Sequence, residues 1–144
     1  MKGDRLPPQH HVARHCRKKD LRWLGTIPVA VMESALDDPD PDGVSVTWLE
    51  HFGGDRQHQI VEVRKQIVAG GITPRGSNRI AIFNVGSVEN AGSAAGAHVV
   101  EDPIDDPPPN QAHALIKADV PLQSQPLIRA AIVHTVQATD IETY

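Results

Sequence analysis

Apolar positions along the chain recur with two different periods. Val44-Ser45-Val46-Thr47-Trp48 alternates strictly, which predicts a half-buried strand with Val44, Val46 and Trp48 on one face. Ile60, Val63 and Ile67, flanked by Val61 and Val68, recur instead at helical spacing, with Arg56, Glu62, Arg64 and Lys65 mostly off the stripe. A helix from Asp55 to Ala69 follows. Asp55 comes after Gly53–Gly54, where its carboxylate can accept from unpaired first-turn amides. Gly70–Gly71 can end the helix, because glycine takes the left-handed conformation without a Cβ clash. The run Arg79–Val85 is apolar on both faces, the mark of a central strand.

Shorter signals fill in around these. His10–Cys16 reads as a strand with Val12 and Cys16 on one face, and Ile27–Met32 as a strand whose Pro28 suits an edge. Ala97–Val100 and His113–Lys117 are further short strands. Leu127–Val136 predicts a second helix, with Ser124 near its N-cap and Pro126 in the first turn. Asp37–Gly43 and Asp102–Asn110 are acidic, proline-rich loops, and Gly86–Gly96 is a small-residue connector or a short weak helix. The sum is one α+β domain over residues 10–138, a mixed or antiparallel sheet with two helices, Asp55–Ala69 and Leu127–Val136. A flexible tail is expected at 1–9 and another at 139–144. The strand–helix–strand order around Asp55–Val85 fits either a crossover or an antiparallel meander.

Composition narrows the partners. A chain of 144 residues has the length of one domain and can bury a core without disulfides or a structural metal. Only Trp23, Trp48, Phe52, Phe83 and Tyr144 are aromatic, so Val, Ile, Leu and Ala must fill the core. A net charge of −4 and so few stacking faces argue against nucleic acid as the main partner. Cys16 is the sole cysteine, which rules out an intrachain disulfide. With no secretory h-region and no apolar run of bilayer length, the expected location is cytoplasmic, away from membranes.

Candidate chemistry starts from eight histidines. His11 and His15 share a face in a strand but lie roughly 13 Å apart at Cα, and spacing fixes no third ligand, so no metal site is expected. The acidic loop fails as a calcium loop: counted from Asp37, the glycine and glutamate positions hold Asp42 and Trp48. Gly86, Gly92 and Gly96 lack the lysine and hydroxyl of a phosphate loop. Cys16 and His15 point to opposite faces of a strand, leaving the thiol inert. What remains is a composite pocket. His11-x-x-Arg14 sets a proton-transfer group near a cation able to fork onto phosphate or carboxylate, and His113 follows the loop ending at Asn110. His11, Arg14 and His113 are the catalytic candidates, and Trp48, Ser45 and Asn110 the binding candidates. No cofactor is implied.

The order His11-x-x-Arg14, Val44-Ser45-Val46-Thr47-Trp48-Leu49-Glu50, Phe83-Asn84-Val85-Gly86, Asp102-Pro103 and His113-Ala114 resembles a group of small bacterial proteins with no assigned activity. The resemblance covers about Gln9 to Val136. It implies a bacterial, cytoplasmic, stand-alone domain and transfers no catalytic residue. Two functions are then compatible with the chain. One is a small binding or accessory component of a larger assembly, with a protein partner or a second copy of itself. The other is a small enzyme acting on a nucleotide or phosphate-bearing substrate through a His/Arg pocket.

Overall fold

Strand β1 (His11–Cys16) buries side chains on both of its faces, Val12 and Cys16 on one and Ala13 on the other, and the fold is built outward from it. The structure, a computed structural model, describes residues 1–144. After β1 come the hairpin β2 (Leu21–Leu24) and β3 (Ile27–Val31), then β4 (Val44–Trp48) and helix α1 (Arg56–Ala69). Strand β5 (Arg79–Asn84) runs straight into α2 (Val85–Ala91). The chain closes with β6 (His98–Glu101), β7 (His113–Lys117), α3 (Pro126–Val133) and β8 (Ile141–Glu142). The main sheet has the order β6-β7-β4-β1-β5-β8, and every neighbouring pair is antiparallel.

This α+β architecture reconciles the two topologies open for Asp55–Val85. Because β4 and β5 both run antiparallel to β1, they run parallel to each other on either side of it, and α1 crosses between them. The helix begins as its sequence requires, with the Asp55 side chain accepting from the His58 amide. No helix of the fold is long and apolar enough to cross a membrane.

The two faces of the sheet are covered unequally. On one, Val12, Val44, Val46, Phe83 and Ile116 pack beneath α2, α3 and the hairpin, through Val88, Ile132, Leu21 and Val31. On the other, α1 alone lies across Ala13, Ile80 and Ile82 by way of Val63 and Ile67. The β4–β7 half of this second face therefore has no helix above it.

Both expected tails are part of the fold. The Gly3 and Leu6 amides donate to Glu101 and Val99 at 2.8 and 3.0 Å, and Leu6 is buried in the larger core. Leu6 is a lone apolar residue before Pro7–Pro8, so periodicity could not reveal it. At the other end, β8 pairs with β5, and Tyr144 packs against the smaller core. The helix count rises to three: Asn84 caps α2 by accepting from the Ser87 amide, and Val85 and Val88 anchor it. In α3 the N-cap is Gln125 and Pro126 takes the first turn. Strand β2 was not anticipated; it is paired to β3 through a turn at Gly25, whose φ of +63° is a conformation glycine adopts at little cost.

Two carboxylates tie loops to this frame. Burial favours the neutral form of Asp20, but the Arg17 amide, the Ser34 hydroxyl and the Arg17 guanidinium outweigh it and lower its pKa. Asp38 behaves alike: burial is outweighed by the Asp40 and Ser45 amides and by Arg14. A folded-state pKa below the unfolded one adds stability that is present above the unfolded value and lost as pH falls through the folded one. The stability gap between wild type and Asp38→Asn, measured by urea unfolding, should therefore narrow as pH drops below about 4. A gap independent of pH would contradict this.

Candidate functional site

The uncovered part of the second face forms the floor of a cleft of about 410 Å³. Its walls are the C-terminal half of α1, with Gln66 and Ile67, and the proline-rich loop from Ile104 to Asn110. Two backbone hydrogen bonds of 2.9 Å, exchanged between Ile104 and Asn110, close that loop on itself. The floor carries Ser45 and Thr47 from β4, His15 from β1 and His113 from β7. Thr47 lies between Ala13 and His113 across the sheet, so the hydroxyl and the imidazole project side by side from adjacent strands.

His113 is held in one orientation. Its Nδ1 lies 2.8 Å from the Asp102 carbonyl oxygen and 3.1 Å from the Asp102 carboxylate. Both partners are acceptors, so Nδ1 carries the proton and Nε2 is the basic nitrogen of the neutral ring. With its side chain 11% exposed, the ring is largely buried and lines the cleft. His15 stands in a half-buried setting where burial, joined by Arg14 and Arg17 and opposed by Asp20, lowers its pKa. It is neutral at pH 7, and its Nδ1 is hydrogen-bonded to the Tyr144 hydroxyl. Ser45 makes its protein hydrogen bonds through backbone groups, leaving its hydroxyl free, as is that of Thr47. Gln66 Oε1 is buried with no hydrogen-bond partner.

Of the six site candidates, the cleft gathers Arg14, Ser45, Asn110 and His113 among its lining residues. His11 and Trp48 are not among them. His11 binds the Glu50 carboxylate twice, through its amide and through Nδ1, each at 2.7 Å. Trp48 faces the larger core, and its indole N–H donates to His10 Nδ1 at 3.0 Å. Arg14 reaches the cleft edge, but its fork is taken up by the protein. Nε donates to Ala35 O, Nη1 to Asp38 Oδ2 and Ser45 O, and Nη2 to Asp37 O, at 2.7–3.0 Å. The expected anion clamp is thus a buckle for the acidic loop. His11, Arg14 and His113 do not form one constellation.

Beyond the six candidates the cleft holds His15, Thr47 and Gln66. Strict alternation puts Thr47 on the outward face of β4 with Ser45, and that face is the cleft floor. Gln66 could not be found that way, because its significance lies in a buried oxygen without a partner. Cys16 contributes nothing chemical: burial pushes its thiol up to about 12, so it stays protonated at neutral pH. No three His, Cys, Asp or Glu side chains gather where a metal ion could bind. Comparison with family models, with curated proteins and with solved structures finds no match for this chain.

Proposed function

We propose that the protein is a small cytoplasmic binding component of a larger assembly, and that the cleft receives a polar, hydrogen-bond-donating segment of its protein partner. The observation that carries this reading is the set of uncommitted polar groups in the cleft. Gln66 Oε1 lacks a donor, the Ser45 and Thr47 hydroxyls are free, and the only cation at the rim is committed to Asp38. A buried acceptor without a donor costs about 1–3 kcal/mol, so the free protein carries a deficit that a donor from outside would remove.

Two variants test it. Gln66→Met deletes the orphaned oxygen at similar volume and should raise stability by about 1 kcal/mol in urea titration while weakening partner retention. Ser45→Trp fills the cleft, and a partner that co-purifies with the wild type from native cells should be lost from it. Equal recovery with wild type and Ser45→Trp, or none with either, removes the basis of the proposal. Light scattering on the pure protein separates a foreign partner from a second copy of the chain.

The alternative enzymatic reading, action on a nucleotide or phosphate-bearing substrate, draws its support from His113 alone, whose Asp102 partner prepares Nε2 as a base. Its anion clamp would have to come from a residue other than Arg14. Hydrolysis of phosphomonoester or phosphodiester substrates by the wild type, abolished in His113→Gln with the fold intact by circular dichroism, would favour it over binding alone.

A further inference from the structure

The net charge of −4 conceals a segregation of charge. Arg17, Lys18 and Lys19 stand between β1 and β2 and Arg22 lies within β2, with one carboxylate, Asp20, which is buried against Arg17 and Ser34. The turn before β5 adds Arg75, and Arg79 opens the strand itself. Carboxylates collect elsewhere, in Asp37–Asp42 and in Glu101–Asp106. Lys18, Lys19, Arg22 and Arg75 are exposed, and none takes part in an ion pair.

Between the hairpin turn at Gly25–Thr26 and the turn at Gly76–Ser77 lies an open concavity of about 380 Å³, lined by Lys18, Trp23 and Arg79 and by no carboxylate. Its central cation is fixed in advance. Arg79 Nη1 donates to Gly76 O and Asn78 O at 2.7 and 2.8 Å, and the guanidinium sits 5.2 Å above the Trp23 ring. Trp23 is itself held by its indole N–H on Lys18 O at 3.0 Å. Neither Nε nor Nη2 of Arg79 has a protein partner, which leaves both free to donate to an arriving anion.

We infer that this corner binds the phosphodiester backbone of a single-stranded nucleic acid. Lys18 and Arg79 contact phosphates in the concavity, and the exposed Arg75, next to Gly76 at its rim, meets a neighbouring phosphate. Trp23, with the Arg79 guanidinium over its ring, gives an unstacked base an aromatic and cationic surface to stack on, a mode that paired bases inside a duplex do not offer. Overall charge argues against nucleic acid governing the whole surface, but a local basic patch acts within about a Debye length, near 10 Å at 0.1 M salt. The site is separate from the cleft, and its success or failure leaves the cleft reading untouched.

Fluorescence anisotropy with a labelled single-stranded oligonucleotide of about 15 nucleotides, titrated with salt, tests the site. Three phosphate contacts predict a slope of about −2 in log affinity against log salt, at about −0.7 per contact. Lys18→Gln and Arg79→Gln should each flatten the slope by about 0.7 and weaken binding about fivefold at roughly 0.1 M salt. Trp23→Leu should weaken binding without changing the slope. Lys18 is exposed, so its variant keeps the test valid if Arg79→Gln or Trp23→Leu disturbs the fold. Absence of salt-dependent binding, a Lys18→Gln protein that binds like wild type, tighter binding to the duplex, or equal competition by polyglutamate would each overturn the assignment.

Discussion

Phe83→Ala is expected to cost about 3–5 kcal/mol of stability, a large part of what holds a domain of this size together. Phe83 is fully buried in β5, opposite Val12, in the larger of the two cores. Its neighbours there are Val, Ile, Leu and Ala side chains on a fully paired sheet, and rigid strands leave little freedom to collapse into the space a ring vacates. The check is the urea midpoint with the slope unchanged. Phe83→Leu, which keeps most of the volume, should recover more than half of the loss. An alanine variant within about 1 kcal/mol of wild type would mean that the sheet can relax around the gap.

Arg14→Ala should cost about 3 kcal/mol, more than an ordinary surface ion pair would. The two side chains are 18% and 9% exposed, so removing the guanidinium strands the Asp38 carboxylate together with three carbonyl oxygens that lose their donor. Lysine should rescue little, because one ammonium cannot reproduce a planar fork reaching acceptors in three directions. The Arg14→Ala, Asp38→Asn double variant should be more stable than Arg14→Ala alone, since the stranded charge is gone. Heat-denaturation midpoints of the four proteins settle this. If Arg14→Ala melts with the wild type, Arg14 does not buckle the loop.

How much of this was legible in the sequence depended on periodicity. Val44–Trp48 and Asp55–Ala69 repeat at the spacing of their elements, and each appears in the structure with Val44, Val46 and Trp48 or Ile60, Val63 and Ile67 inward, whereas the flanking Val61 and Val68 are exposed. Leu6, Ile141 and Tyr144 do not repeat, and they pack through partners distant in the chain, so the termini read as loose when they are held. In the cleft, Ser45, Asn110 and His113 were identified from chain position and side-chain chemistry. The commitment of Arg14 to Asp38, and of His11 to Glu50, was invisible, because both depend on which loop folds over which strand end. The charge segregation at Lys18 and Arg79 was partly visible as the Arg17–Lys19 cluster. Its union with Trp23 and the Gly76 turn required the third dimension.

The position of β1 also sets a timetable. It is the first strand of the main sheet to leave the ribosome, yet it lies between β4 and β5, so Val12 must wait for Trp48 and then for Phe83 before both its sides are paired. The outermost strand on one flank, β8, is also the last strand of the sheet in chain order. Such distant pairings slow folding, because loop-closure entropy must be met before they form. During synthesis the apolar residues of β1 therefore stay uncovered until β5 emerges, and a nascent chain stalled before that point would be a substrate for chaperones.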